Sequence, residues 1–316
     1  MKKTLHLLAL LLTFLQGLAL SAEVKTGTSS SKNRPSFLWK ISHDNYADTY
    51  CLGTIHLGYR EVIDLPEHVQ QAIAQADALY TEIPMDRDSQ LSALQYMIRE
   101  DGKTLEEAIG VNNSRRLKDI MKDLTGTDSL FALNPMKTWA GPLVLAMLPI
   151  QLDPNNKGSL DETLYYRAQK AGKEVGGIET VQEQIGFFER LTEAEQVRYL
   201  EMTLEFMEQN DGYGAQYLKQ LKDTYVSGNA EQLFNELMSQ MIPEDASEDD
   251  NTLYKKIIDL ILYQRNQLMV KRIKALTTAN PKKKYFIAVG AAHLLGEKSV
   301  IVGLQDAGFK VSRITQ

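Results

Sequence analysis

The chain has 316 residues, 43% hydrophobic and 24% charged, with a formal net charge of −6, an ordinary balance for a globular protein of one large domain or two small ones. There is no basic surplus to coat a face, which argues against a general nucleic-acid partner. The single cysteine, Cys51, rules out an internal disulfide and a cysteine-rich zinc site, so the fold must rest on its apolar core.

Residues 1–22 read as a secretory signal: Lys2 and Lys3, then an apolar run from Leu5 to Leu20 broken by His6, Thr13, Gln16 and Gly17, then the small residues of Ala19-Leu20-Ser21-Ala22. The run is short for a span, which needs about 20 apolar residues, so cleavage leaves no stable membrane segment and sends a bacterial chain to the periplasm or outside. Cleavage removes two lysines and no acid, taking the charge from −6 to −8. Residues 23–35 are polar and read as a disordered lead-in, and 36–316 as a single α/β domain.

Strand-like segments at 36–41 and 49–52 flank a polar turn at Asp44-Asn45 and form a hairpin. The second strand runs into Gly53-Thr54-Ile55-His56. Pro66 opens a helix through Ala76, with Val69, Ile73 and Ala76 on one face. Residues 78–83 read as a strand stopped by Pro84. The centre, about 88–282, is mostly helical, with candidates at 88–99, 104–109, 112–124, 136–149, 159–171, 181–189, 193–209, 213–226, 229–239 and 250–278. One buried strand interrupts it at 173–178, and 245–250 is a solvated acidic loop. Residues 284–289 are a buried strand running into Gly290-Ala291-Ala292-His293. A helix at 297–307 capped by Gly308 and a strand at 309–314 follow. The expected architecture is a mixed central sheet with two pseudo-repeated strand–Gly-x-x-His–helix–strand modules and a large helical insertion.

Glycine at a strand end permits backbone conformations closed to other residues and would aim each histidine across the carboxyl edge of the sheet, where open α/β sheets bind ligands. The alternative is two histidines that only bond turn backbone. Glu82 sits near the end of an apolar strand, where a carboxylate is costly unless paired or metal-bound; otherwise it is an edge residue turned to solvent. Two histidines and one glutamate suit a divalent ion, zinc among them, with a position open for water. Arg265-Asn266 lies in a long amphipathic helix and offers either a fork of donors for carboxylates or an oxyanion or a solvated face. Asp161, Glu179, Thr180 and Gln184 lie near element ends, where Asp161 also fits a first-turn acid and Thr180 a helix cap. Lys137 could pack its stem on Trp139. No His-Glu-x-x-His helix, Walker loop, Gly-x-Ser-x-Gly elbow or Gly-x-Gly-x-x-Gly occurs.

At these residues the chain resembles the TraB/GumN family, which includes the TIKI metalloproteases. The resemblance runs from Phe37 to Ile314 through Leu38-Trp39, Leu52-Gly-Thr-Ile-His56, Tyr80-Thr-Glu82, Gly158-Ser-Leu-Asp161, Gly177-Ile-Glu-Thr180 with Gln184, Arg265-Asn266 and Val289-Gly-Ala-Ala-His293-Leu. Lys137-Thr138-Trp139 departs from the usual Lys-Pro-Trp. The resemblance implies a fold shared with erythromycin-esterase-like and haem-binding ChaN-like proteins. For the TIKI branch it implies a peptidase supported by manganese or cobalt. It makes His56, His293 and Glu82 the metal-binding set, and Arg265 and Asn266 site residues. The expectation is therefore an exported metal-dependent hydrolase of a peptide or protein, with Glu82 as general base if it is not a ligand, and with Arg265 and Asn266 orienting substrate or stabilising the oxyanion. Two alternatives use the same side chains: a metal-independent esterase with a histidine base, and a haem- or peptide-binding protein without turnover. Substrate, metal identity and oligomeric state are not encoded in any motif.

Overall fold

A computed structural model describes residues 34–209, 213–239 and 246–315. The proposed signal and most of the lead-in lie outside them. Arg34 and Pro35, assigned by composition to the lead-in, are packed. Arg34 Nη2 donates to the carbonyls of Glu61 and Asp64, both at 2.9 Å, and Pro35 lies against Gly228.

Six strands form one sheet: β1 (Leu38–His43), β2 (Tyr46–Thr54), β3 (Ala78–Thr81), β4 (Glu174–Gly177), β5 (Tyr285–Gly290) and β6 (Lys310–Ile314), in the order β4-β3-β5-β2-β1-β6. β2, β3, β4 and β5 run parallel, and β1 is antiparallel to both β2 and β6. The predicted hairpin is β1–β2. β5, apolar throughout, is buried along its whole length, as a central parallel strand should be. β4, predicted as buried, is the sheet's edge and is partly exposed; its Gly176 and Gly177 bring no side chain to bury.

The helices are α1 (Arg60–Ile63), α2 (Glu67–Gln75), α3 (Arg87–Tyr96), α4 (Leu105–Thr125), α5 (Ala140–Leu152), α6 (Leu160–Lys170), α7 (Val181–Gly186), α8 (Glu193–Gln209), α9 (Tyr213–Ser227), α10 (Ala230–Ser239), α11 (Glu248–Ile258), α12 (Gln264–Ala279), α13 (Ala291–Leu294) and α14 (Val300–Asp306). The predicted break between 109 and 112 is real. α4 kinks at Gly110, whose φ of 78° is left-handed and favours glycine. Of the acidic segment predicted as a loop at 245–250, Asp245 lies outside the described residues and the rest enters a helix: Ser247 caps α11 and Asp250 bonds Arg198 at 2.8 Å. Within the described residues no helix is long and apolar enough to cross a membrane.

The two Gly-x-x-His modules lie side by side, because β2 and β5 pair in parallel, but their glycines are offset by one: Gly53 faces Val289 and Gly290 faces Thr54. The expected reason for these glycines is corrected. Gly53 is not among the positive-φ glycines, and Gly290 has φ −51° and ψ 136°, an ordinary extended conformation. They are needed for close approach. A Cβ on Gly53 would lie 3.1 Å from Ala291 Cα and 3.2 Å from Phe37 Cβ, so a side chain there would push α13 away from β2 by a few tenths of an ångström.

Candidate functional site

Each parallel strand carries a polar residue just past its carboxyl end: His56 after β2, Glu82 after β3, Glu179 after β4 and His293 after β5. All are buried: Glu82 and His293 are 0% exposed, and His56 and Glu179 2%. Three helices complete the cluster. The first turn of α6 supplies Asp161, α7 supplies Gln184, and the start of α12 supplies Arg265 and Asn266. α12 follows a π-helical turn at Asp259–Tyr263, a distortion that recurs at functional sites.

Both imidazoles are held at Nδ1. His56 Nδ1 donates to Asp161 Oδ2 at 2.9 Å, and Asp161 Oδ1 accepts Thr54 Oγ1 at 2.7 Å. His293 Nδ1 lies 2.6 Å from Asn266 Oδ1, while Asn266 Nδ2 donates to the Lys298 carbonyl at 2.8 Å. Because the Asn266 amide must donate to that carbonyl, its oxygen faces His293 and accepts. The proton of His293 is thereby placed on Nδ1 and a lone pair on Nε2. Both Nε2 atoms face Glu82 Oε1, His56 at 4.0 Å and His293 at 3.7 Å. His293 Nε2 is buried and makes no hydrogen bond among the described residues.

Glu82 is clamped from three sides. Oε1 accepts the Gly290 N–H at 2.6 Å, and Oε2 accepts Gln184 Nε2 and Arg265 Nη2, each at 2.6 Å. Arg265 is divided between two carboxylates, since Nη2 also donates to Glu179 Oε2 at 2.6 Å and Nε to both Glu179 oxygens at 3.1 Å. Its Nη1 donates to the Ile261 carbonyl at 3.2 Å. With 0% exposure, Arg265 is not on a solvated face. Its mapped bonds hold carboxylates from behind, as those of Asn266 hold His293.

The charges divide unequally. Burial opposes ionisation of Glu82, but Arg265, with His293, His56 and the Gly290 N–H, outweighs it and holds the carboxyl at about 2. Glu179 binds the same arginine, yet burial and the repulsion of Glu82 keep it above its ordinary value; it lacks the Gln184 and Gly290 donors that serve Glu82. Burial, then Arg265, pulls His293 down to about 3, so the ring is neutral. For His56 burial also opposes the charge, but Asp161 and then Glu82 raise it above 6.5.

A metal would need space among these donors, and Gly290 provides it. A Cβ there would lie 3.1 Å from Glu82 Oε1, 3.5 Å from His56 Nε2 and 3.6 Å from His293 Cδ2. Bonds of about 2.1 Å to nitrogen and oxygen imply donors about 3.4 Å apart in a tetrahedral shell. The spacings of 3.7 and 4.0 Å are a few tenths of an ångström wider, and among the described residues no three donors stand at closed metal-shell spacing. The donor types, the Nε2 lone pair and the Gly290 cradle fit a small divalent ion with slight contraction. A carboxylate oxygen this close to both imidazoles does not suit a haem held between them.

Asp161, Glu179 and Gln184 were visible in the sequence as polar residues near element ends and as members of the segments that carry the family resemblance, without an assigned role. Asp161 is both a first-turn acid and the partner of His56. Thr180 caps α7 with Glu183, the structural role foreseen for it. Lys137 packs over Tyr96, 4.4 Å from the ring centroid, rather than on Trp139; Trp139 stacks on Phe188. Cys51 is inert, its thiol pushed up to about 12 by burial. Beside the cluster runs a groove of about 870 Å³ whose lining includes Asp88, Ser89, Glu179, Thr180, Arg272 and Leu276, so Glu179 belongs both to its wall and to the Arg265 pair.

The profile of the TraB/PrgY/gumN family matches residues 37–313. Metalloprotease TIKI1 of Xenopus tropicalis is 27% identical over 87% of this chain and 61% of its own length. Metalloprotease TIKI1 of Homo sapiens is 26% identical over 90% and 64%, and the uncharacterized protein YbaP of Shigella flexneri 26% over 79% and 84%. The chain thus spans about three fifths of the length of the TIKI relatives it matches. No solved structure matches it.

Proposed function

The chain belongs to the TraB/PrgY/gumN family, and on that premise we propose that it is a metal-dependent hydrolase of peptide or protein substrates, with a divalent ion held by His56 Nε2, His293 Nε2 and Glu82 Oε1. The observation that carries this is that both Nε2 atoms face Glu82 Oε1, at 4.0 and 3.7 Å, with Glu82 Oε1, His56 Nε2 and the Cδ2 edge of His293 gathered around the missing side chain of Gly290 and an Nδ1 partner for each imidazole. Histidine ligands are commonly fixed in this way, one nitrogen bonded to a carboxylate or carbonyl and the other presented. The names of the TIKI relatives support a peptidase. Manganese, cobalt and zinc are the candidate ions.

Bound there, the ion would supply Lewis acidity, polarising a carbonyl and lowering the pKa of water. The residues do the rest. Asp161 and Asn266 fix the rings, and Arg265 with Gln184 and the Gly290 N–H keeps Glu82 ionised and in place. The burial of the cluster keeps bulk water away, which strengthens electrostatic interactions inside it. The groove at Glu179 is the approach we assign to the substrate. Residues 1–22 act in this proposal as a cleaved leader that delivers the protein to the periplasm or outside. The test is metal analysis of purified wild type, His56→Ala and His293→Ala, together with cleavage of a peptide library. A wild type that stays metal-free after incubation with manganese, cobalt and zinc ends the proposal.

One observation favours a second reading. The His56–Asp161 bond, buttressed by Thr54, is the arrangement of a base held by a carboxylate, which would serve metal-free ester hydrolysis. Hydrolysis that persists in strong chelator selects it.

A further inference from the structure

We infer that Gln184 is a positioning residue that fixes Glu82 as a one-oxygen ligand, acting through Oε1 alone. The inference rests on the ion site proposed above. It follows from counting lone pairs. A carboxylate offers about four acceptor sites, two on each oxygen. Both on Oε2 are taken, by Gln184 Nε2 and Arg265 Nη2 at 2.6 Å each. One on Oε1 is taken by the Gly290 N–H at 2.6 Å. The site left on Oε1 is on the oxygen that faces the two imidazoles. Binding through both oxygens would strip a partner from a buried donor. The same remaining site cannot hold an ion and accept a proton from water, so Glu82 as ligand is not also the general base.

Gln184 decides this more than Arg265 does. The arginine is shared with Glu179, which takes both Nη2 and Nε while Glu82 takes Nη2 alone, and without a second donor it does not commit Oε2. Gln184 is 0% exposed and sits on a short helix whose start is fixed. Thr180 and Glu183 form a capping box, and Arg272 bonds Glu183 at 2.8 Å and the Ile178 carbonyl at 2.7 Å. The polar string Thr180-Val-Gln-Glu183-Gln184 thus has one purpose toward the helix and another toward Glu82.

The experiment compares wild type with Gln184→Met, which keeps length and volume but removes the donor, using zinc alone as the probe. Zinc affinity is measured by competition with a chelating dye. The separation of the antisymmetric and symmetric carboxylate stretches is measured by infrared difference spectroscopy, with Glu82→Gln identifying the band. Wild type should show the wide separation of one-oxygen binding. Gln184→Met should bind one zinc about 10–100-fold more weakly, the effect typical of losing an outer partner, with a narrowed separation. Equal affinity and equal separation in the two proteins overturn the inference while leaving the ion site standing. Should Gln184→Met not fold, the wild-type spectrum decides, and a narrow separation overturns the inference. A wild type that binds no zinc, manganese or cobalt overturns the ion site and this inference together.

Discussion

Replacing Gly290 by alanine should separate the fold from the ion site. The backbone there, at φ −51° and ψ 136°, is open to alanine without strain, and losing a glycine stabilises a chain by about 0.4–1 kcal/mol through its unfolded state. Against that gain, the methyl meets Glu82 Oε1 at 3.1 Å, while His56 Nε2 and His293 Cδ2 at 3.5 and 3.6 Å are ordinary contacts. One tight contact, relieved by a shift of a few tenths of an ångström, leaves the folding free energy within about 1 kcal/mol of wild type. Ion binding has no such relief. An ion about 2.1 Å from the same donors competes with the methyl for the same space, and at least about a 100-fold loss of affinity is expected, or about 2.8 kcal/mol. The assay is thermal or urea unfolding with and without zinc. At 100 times its dissociation constant an ion stabilises the wild type by about 2.7 kcal/mol, and Gly290→Ala, though equally stable without zinc, should gain almost nothing. An equal gain in the variant would falsify the placement of the ion beside Gly290.

Three further outcomes are expected. Arg265→Met strands two buried carboxylates that now share one guanidinium; removing one partner of a buried ion pair costs about 3–5 kcal/mol, to be read as a lower urea midpoint at pH 7. The neutral His293, held at about 3 against an ordinary 6.5, makes stability complete above pH 6.5 and progressively lost as pH falls toward 3, because only the unfolded chain takes up the proton; urea titrations at pH 7 and pH 4 should show a larger loss in wild type than in His293→Gln. Asp161→Asn lets an amide donate to His56 Nδ1, moving the ring proton to Nε2, so zinc affinity should fall far more than stability does, and equal losses in both would contradict the assigned tautomer.

Much of the fold is legible in local pattern. The β1–β2 hairpin, the apolar run of β5 and the break in α4 each follow from residues adjacent in sequence: a polar turn at Asp44-Asn45, an unbroken run of β-formers, and Gly110 at φ 78°. The order of the strands is not legible, since β5 separates β2 from β3 and both β2 and β1 separate β5 from β6, and nothing in one strand's own sequence names its neighbour. The glycines of the two turns were found for a reason that does not hold. The pattern shows that glycine is present, but whether it serves a turn or a close approach depends on what packs opposite, Ala291 and Phe37 for Gly53 and the donors themselves for Gly290.

The site divides along the same line. His56, His293 and Glu82 stand out because each follows an apolar strand, where a polar side chain lacks a local reason. Asp161 and Gln184 escape because each has a sufficient local explanation, a first-turn acid and a residue just past a capping box, while its second partner lies 105 and 102 residues away. Glu179 had a signal that could have raised it: like Glu82, it is a carboxylate just past the carboxyl end of a strand of the parallel sheet. Taken together these residues explain why Arg265 is present. Glu82 and Glu179 share the one guanidinium while Asp161 pairs with His56, and three buried carboxyl groups counted as carboxylates against one arginine, with neutral rings, are a charge of −2. Such a charge is untenable in an enclosed site without compensation. A divalent ion at the proposed site would supply that compensation, and the raised proton affinity of His56 and Glu179 has the same origin, a cluster with more negative groups than positive ones. The cluster thus keeps an unmet demand for positive charge beside its two imidazoles, which neither a wholly apolar pocket nor a fully paired salt bridge would give.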